Sequence, residues 1–143
     1  MPSTKENLNV LCKQIQRLDN SIRFVGIANN LGSLIATAYR NNLTPLMNEQ
    51  ETSHYAIQAV LRAATREDFE SKIGRLEYSI GKYERIIRAT VPIRCSDTDD
   101  DNNDQNKYYY LLISFDLEKS AIVIDVIEDK IIPFVEKNEE KFG

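Results

Sequence analysis

The sequence is poor in the residues that build most catalytic and metal centres. It contains no tryptophan, a single histidine, two cysteines and five glycines in 143 residues. Any Ser-His-Asp or Cys-His arrangement would have to use His54, which falls in a segment of helical periodicity. One histidine and two distant cysteines are too few for the three or four ligands of a zinc site. We expect Cys12 and Cys95 to be free thiols, and we predict no catalytic centre, no metal site and no cofactor.

Glycine-rich loops and long apolar runs are also missing. The five glycines, at 26, 32, 74, 81 and 143, never take the spacing of a phosphate-binding loop. No run of 18 apolar residues is present to span a membrane, and the N-terminus lacks the apolar core of a signal peptide. We therefore expect a cytoplasmic protein with no membrane partner.

Charge and length set two further limits. Eighteen basic against 22 acidic residues give a formal net charge of -4. This charge argues against nucleic acid as a partner, because binding to phosphates depends on clustered Lys and Arg. With 42% hydrophobic and 28% charged residues, the composition is that of a folded globular chain. The length suits one domain over residues 1–143.

The first half of the chain alternates between helical and strand patterns. Apolar residues at steps of three and four predict a helix over 4–18. Residues 22–28 and 34–39 are predicted strands, and the intervening NNLGS predicts a reversal, because Asn29, Asn30 and Gly32 can adopt positive φ. Thr44-Pro45 then predicts the start of a long helix that ends near residue 64, followed by a short turn that Gly74 closes.

The second half is predicted to be mainly strand. Residues 76–80 and 87–93 alternate between apolar and polar side chains, which predicts two half-exposed strands joined by a turn within 81–85. The most apolar segment, YYYLLISFD, predicts a further strand in which Tyr109 faces the core. A last helix is predicted to open at Ser120, and Pro133 is predicted to kink it or end its first half.

The elements follow the order α-β-β-α-β-β-β-α. Most consecutive strands are connected by too few residues for a parallel crossover. We therefore predict the α+β class with a five-stranded antiparallel sheet flanked by helices. This order, the hairpin GIANNLGSLIATA and the strand RIIRATVPI together resemble the Roadblock/dynein light chain family, within the profilin-like group of folds. The family hairpin usually carries Asp-x-x-Gly where this chain has Asn-Asn-Leu-Gly. The chain is also similar to small archaeal proteins of that shape.

The acidic segment SDTDDDNNDQNK, residues 96–107, partly matches a calcium-binding loop. Asp97, Asp99 and Asp101 take the first, third and fifth positions of an EF-hand. Asn102 replaces the turn glycine, however, and Tyr108 stands where the bidentate glutamate should be. We therefore predict a solvated, mobile loop in place of a calcium site.

The Roadblock resemblance implies a noncatalytic homodimerising scaffold or regulatory module. Such proteins commonly dimerise through the middle strand and the long helix, and some are platforms for small GTPases. In this sequence residues 76–83 are a candidate exposed edge strand, and an unpaired edge invites another chain. The candidate interface residues are Met47, Tyr55, Ile57, Leu76, Tyr78, Ser79 and Ile80.

Two other functional hypotheses stay open at this point. One is a profilin-like or PAS-like sensor that holds a small ligand between sheet and helices, which requires polar groups converging in an apolar pocket. The other is a plain structural domain. For the dimer hypothesis, a proline at Ser79 is predicted to remove a backbone donor from the edge strand.

Overall fold

The helices and strands occur in the order that the sequence predicts. The computed structural model of the chain describes residues 4–94 and 108–142. The elements are α1 (Thr4–Gln16), β1 (Ile22–Asn29), β2 (Leu34–Tyr39), α2 (Glu49–Arg66), α3 (Glu70–Ile73), β3 (Ser79–Lys82), β4 (Ile86–Arg94), β5 (Tyr108–Asp116), α4 (Val123–Val126) and α5 (Ile132–Lys137). Single turns of 3-10 or π geometry adjoin them at Glu67–Phe69, Leu117–Ile122, Ile127–Ile131 and Glu139–Phe142.

The five strands form one antiparallel sheet in the order β2-β1-β5-β4-β3, which confirms the predicted fold class. The central strand β5 pairs with β1 on one side and with β4 on the other. A strand that is covered on both faces reads as a continuous apolar run, which explains the composition of β5. Among the described strands, β2 and β3 lie at the two edges, so the predicted edge position of β3 is also confirmed.

Helices cover both faces of the sheet. On the first face, α1 and residues 117–142 enclose the larger hydrophobic core, which includes Tyr109 as predicted. On the second face, α2 contributes Ala56, Ala59 and Ala63 to a smaller core. Side chains of this size let the helix approach the strands closely. The sheet is therefore the middle of three layers.

The reversal between β1 and β2 depends on one asparagine and one glycine. Asn29 Oδ1 accepts hydrogen bonds from the backbone N–H of Leu31 at 2.9 Å and of Ser33 at 3.0 Å, which forms an Asx turn. Gly32 has a φ of 86°, whereas neither Asn29 nor Asn30 has a positive φ. The predicted hairpin is thus confirmed. Of Asn29, Asn30 and Gly32, only Gly32 adopts a positive φ.

Helix α2 begins at Glu49, so the prediction that it starts at Thr44-Pro45 is wrong. The side chain of Asn48 accepts a hydrogen bond from Glu51 N at 2.8 Å, and the Glu51 carboxylate accepts one from Asn48 N at 3.0 Å. This capping box satisfies two backbone donors at once, whereas a helix that began at Thr44 would have Met47 at the position of Glu51, with no carboxylate to accept the second bond. Residues 40–48 instead form a loop at the N-terminal end of α2.

The hairpin of β3 and β4 is shorter than predicted. Strand pairing begins at Ser79 and not at residue 76, and residues 83–85 join the two strands. The turn closes with a hydrogen bond of 2.9 Å from Tyr83 N to Ile86 O. β4 is buried along most of both faces, including Thr90, so its predicted half-exposed character is wrong. The reason is that α2 covers the face on which its polar residues lie.

The last helix does not open at Ser120. Residues 117–122 form 3-10 turns with a non-helical Lys119, and α-helical geometry begins at Val123. A π turn at Ile127–Ile131 immediately precedes α5, which holds Pro133 in its first turn. A wider turn gives room to the proline ring, and a first-turn proline lacks no internal hydrogen bond. The helical segment therefore continues past Pro133. Its irregular turn, the π turn at Ile127–Ile131, lies before the proline.

An ion pair joins the C-terminal helical region to the loop after α1. Lys130 Nζ lies 2.7 Å from Asp19 Oδ1, and Ser21 N donates to the same carboxylate at 3.0 Å. Burial of Asp19 would raise its pKa, but hydrogen bonds from Lys130 and Ser21, together with the charge of Lys130, outweigh burial and lower the pKa to about 2. The charged carboxylate is therefore stabilised by folding.

We expect Asp19→Asn to reduce the loss of stability in acid. Because the pKa of Asp19 is lower in the folded state, its contribution is fully present above pH 5 and is lost as pH falls from about 4 to about 2. Lys130 is half exposed, so the contribution is about 1 kcal/mol. Urea unfolding of the parent and variant between pH 2 and pH 6 measures it. Asp125→Asn, at an exposed position of α4, is the control. If the free energy of unfolding falls equally with pH in all three proteins, the expectation is contradicted.

Candidate functional site

The residues that could form a catalytic pair lie on opposite sides of the sheet. Cys12 lies on α1 and is buried in the larger core, and burial raises the pKa of its thiol to about 12. His54 is exposed on α2, where its Nε2 lies 3.1 Å from Gln58 Nε2. Across residues 4–94 and 108–142, no group of three or more His, Cys, Asp or Glu side chains is arranged to hold a metal ion. This arrangement gives no support to a Cys-His nucleophile.

Some sequence predictions concern residues outside the described part of the chain. Cys95 and the acidic segment 96–107, with Asp97, Asp99 and Asp101, belong to this group, so the mobile-loop prediction stays a prediction. In the described part of the chain, no helix is long and apolar enough to span a membrane.

Within the described residues, no strand pairs with the outer edge of β3. Ser79, Gly81 and Tyr83 are opposite Thr90, Arg88 and Ile86, and the bond from Tyr83 N to Ile86 O shows that this set faces β4. In an antiparallel ladder the intervening residues point the other way. Ile80 and Lys82 therefore direct their N–H and C=O groups outward from the sheet. Ser79→Pro would therefore remove a donor to β4 and leave the outward donors in place, so it does not test pairing between two copies.

Helix α2 has an apolar stretch on the side that faces away from the sheet. Ile57 and Leu61 are four residues apart. Leu61 is 62% exposed and lies opposite the buried side, and Ile57 is 46% exposed beside the β1–β2 hairpin. Two further exposed apolar residues follow after the helix, Phe69 and Ile73, the latter 82% exposed. The N-terminal part of the same side is polar and includes Gln50. We name the set Ile57, Leu61, Phe69, Ile73 and Ile80 the outward surface.

The C-terminal end of α2 lies beside the edge strand. Arg66 Nη1 is 3.4 Å from Ser79 Oγ, across the gap between the helix and the first residue of β3. Arg94, near the end of β4, binds the Glu70 carboxylate at 2.6 Å and holds α3 at the same end of the sheet. These contacts place three features at one side of the molecule: the C-terminal end of α2, the short helix α3, and the open edge of β3.

The candidate interface residues fall into two groups. Ile57, Ser79 and Ile80 lie on α2 or β3 and are exposed or half-buried. Met47 and Tyr55 pack in the smaller core, and Tyr55 is only 7% exposed. The first three are therefore accessible to a partner, whereas the other two are used within the chain.

The segment between α3 and β3 wraps around the edge of the sheet. Leu76 packs against the smaller core on the second face, whereas Tyr78 packs against the larger core on the first face. The Tyr78 hydroxyl also donates a hydrogen bond to the Glu128 carboxylate. Both candidate interface residues are therefore anchored within the chain.

Sequence reasoning missed the apolar residues that follow α2. Phe69 and Ile73 fall in the predicted short helical turn, to which the sequence assigns no role, although they are exposed and four residues apart. The signal that could have found them is an apolar pair in a turn too short to bury it. Leu61 lies within the predicted long helix, but only the structure shows that its side chain is turned to solvent.

Comparisons with known proteins support this architecture. No protein-family model and no curated protein matches the sequence. The chain is similar to the structure of gliding protein MglB from Thermus thermophilus, with a TM-score of 0.67, 12% identity, and coverage of 99% of this chain and 90% of that one.

Two other solved structures give the same result. A structure of MglB with tetrameric arrangement has a TM-score of 0.65, 12% identity, and coverage of 99% and 89%. The Roadblock/LC7 domain from Streptomyces avermitilis has a TM-score of 0.54, 7% identity, and coverage of 87% and 97%. At these identities the likeness concerns the fold. The chain has the Roadblock/LC7 fold.

Proposed function

We propose that this protein is a noncatalytic, homodimerising scaffold or regulatory module of Roadblock type. The observation that carries the proposal is the open edge of β3 beside the exposed apolar half of α2. An unpaired strand edge and a neighbouring apolar helix face are both surfaces that association would cover. A second copy of the chain offers the same two surfaces, so one contact would satisfy both.

The proposed dimer has two-fold symmetry. β3 would pair with β3 of the second copy and join the two sheets, while the two α2 helices pack against each other. β3 has only four residues, so the new ladder would contain few hydrogen bonds. Full burial of a side chain such as Leu61 or Phe69 stabilises by about 1.5–3 kcal/mol. We therefore expect the outward surface, more than the strand, to supply the affinity.

A small GTPase is the candidate partner that the Roadblock resemblance implies. The MglB structure with a tetrameric arrangement supports assembly as a property of that similar protein. Retention of a GTPase by the immobilised protein, dependent on GTP or GDP, would support this part of the proposal. Equal recovery on beads that carry unrelated protein would contradict it.

The test of the dimer combines a mass measurement with one backbone substitution. Light scattering should give about twice the chain mass of 16.4 kDa at micromolar concentration. Lys82→Pro removes an outward N–H without changing the bonds to β4, so we expect dimer affinity to fall at least about tenfold. Lys82→Ala removes the same side chain and keeps the N–H, so it should dimerise as the parent does. A monomeric parent, or equal affinity of the two variants, would contradict strand pairing.

A further inference from the structure

A small cavity lies between the N-terminal end of α2, the preceding loop and the second face of the sheet. Its volume is about 40 Å³, which gives room for about three water-sized groups. Phe24, Leu43, Leu46 and Met47 form most of its apolar lining, and Arg88 of β4 lines it as well. This cavity is separate from the outward surface, because it lies near the opposite end of α2.

Arg88 makes few polar interactions for a charged side chain that lines an apolar cavity. Its guanidinium group lies over the Tyr55 ring at 3.7 Å, and its Nη2 lies 3.1 Å from Met47 Sδ, which is a weak acceptor. Its Nε atom is buried and has no hydrogen-bond partner among residues 4–94 and 108–142. In the described part of the chain no carboxylate forms a salt bridge with Arg88.

The second arginine of the cavity does not share this situation. Arg23 lies 3.2 Å from the Asp116 carboxylate, which also pairs with Arg40 at 2.6 Å. The hydroxyl of Thr52 donates to Asn48 O at 2.9 Å. The lining contains no acidic side chain. Arg88 is therefore the group whose charge the cavity leaves uncompensated.

A buried donor without a partner is costly, and a carboxylate is the anion that matches a guanidinium through two parallel hydrogen bonds. We infer that this cavity binds one carboxylate group on a short apolar stem, with Arg88 as its charge partner. The apolar lining accounts for the stem, and the small volume requires the stem to be short. A free short-chain carboxylate and a glutamate side chain of another polypeptide share this chemistry.

Nuclear magnetic resonance of the arginine side chains tests the site directly. Sodium propionate is titrated against sodium chloride at constant ionic strength, with the Nε–H signal of Arg88 as the readout. We expect a saturable downfield shift of this signal with propionate. Propionamide, which has the same shape but no charge, should cause no shift. Absence of a saturable shift with propionate would overturn the inference.

Three variants separate the site from general charge effects. Arg88→Met keeps an apolar stem and removes the charge, and we expect propionate affinity, followed by calorimetry, to fall at least tenfold. Arg88→Lys keeps the charge but lacks the two parallel donors, so its affinity should lie between those of the parent and Arg88→Met. Arg85→Met, at an exposed position of the adjoining turn, should bind as the parent does. Equal binding by all four proteins would overturn the assignment to Arg88.

A last comparison identifies the source of the carboxylate. N-acetyl-glutamic acid amide presents the same group on a peptide-like backbone. Tighter binding of this compound than of propionate supports a polypeptide side chain, and the reverse order supports a free carboxylate. Binding of neither compound would overturn the inference, whatever the oligomeric state of the protein.

Discussion

Replacing Leu61 with glutamate is expected to convert the proposed dimer to monomer, with a dissociation constant at least about 100-fold higher. Leu61 is mostly exposed in the isolated chain, so the change should leave the fold of one copy intact. In the proposed dimer the carboxylate would be buried against the apolar surface of the second copy. A factor of ten in affinity corresponds to about 1.4 kcal/mol, so a 100-fold change corresponds to about 2.8 kcal/mol. The cost of burying an unpaired charge in this interface exceeds that value.

Sedimentation velocity over a range of concentrations measures this change. Gln50→Glu places the same carboxylate on the polar half of the same helix face and is the matched control. It should dimerise as the parent does. If Leu61→Glu retains the affinity of the parent while Lys82→Pro loses it, the strand edge is used without the helix face. If both variants retain it, neither surface belongs to the interface.

The strands are more closely predictable than the helices. The predicted bounds of β2 are the observed ones, because a turn precedes it and its apolar pattern is regular. The predicted start of α2 is wrong because two capping signals lie four residues apart. Thr44-Pro45 offers one side-chain cap, whereas Asn48 and Glu51 have the spacing of a reciprocal pair, which is also visible in the sequence.

The candidate interface is predictable as a region but not residue by residue. Tyr55 and Ile57 are two residues apart on α2, and both are apolar. The orientation of the helix on the sheet buries the first and exposes the second, and that orientation depends on contacts distant in sequence. The environment of Arg88 could not be predicted from the sequence either, because it also depends on how α2 packs on the sheet. Alternation assigns it to a polar face, and only the packing of α2 turns that face into an interior.

The contact between the β1–β2 hairpin and α2 explains why position 32 must be glycine. A Cβ atom at Gly32 would lie 2.7 Å from Ile57 Cα, closer than side-chain atoms approach a backbone. The φ of 86° is also one that L residues with a side chain rarely adopt. Gly74 has a similar φ of 91°, but a Cβ atom there would meet nothing within 4 Å. Both positions therefore have a positive φ, and only position 32 also has the steric contact.

We expect Gly32→Ala to lower the free energy of unfolding by about 3–5 kcal/mol and Gly74→Ala by about 1–2 kcal/mol. Positive φ accounts for about 1–2 kcal/mol at each position, and overpacking against α2 adds about 1–3 kcal/mol at position 32 alone. Urea unfolding of the three proteins at neutral pH measures both changes. A larger loss for Gly32→Ala than for Gly74→Ala would indicate the steric term, because only position 32 has a close contact. Equal losses would mean that the hairpin moves away from Ile57 at little cost, and that its contact with α2 contributes little to stability.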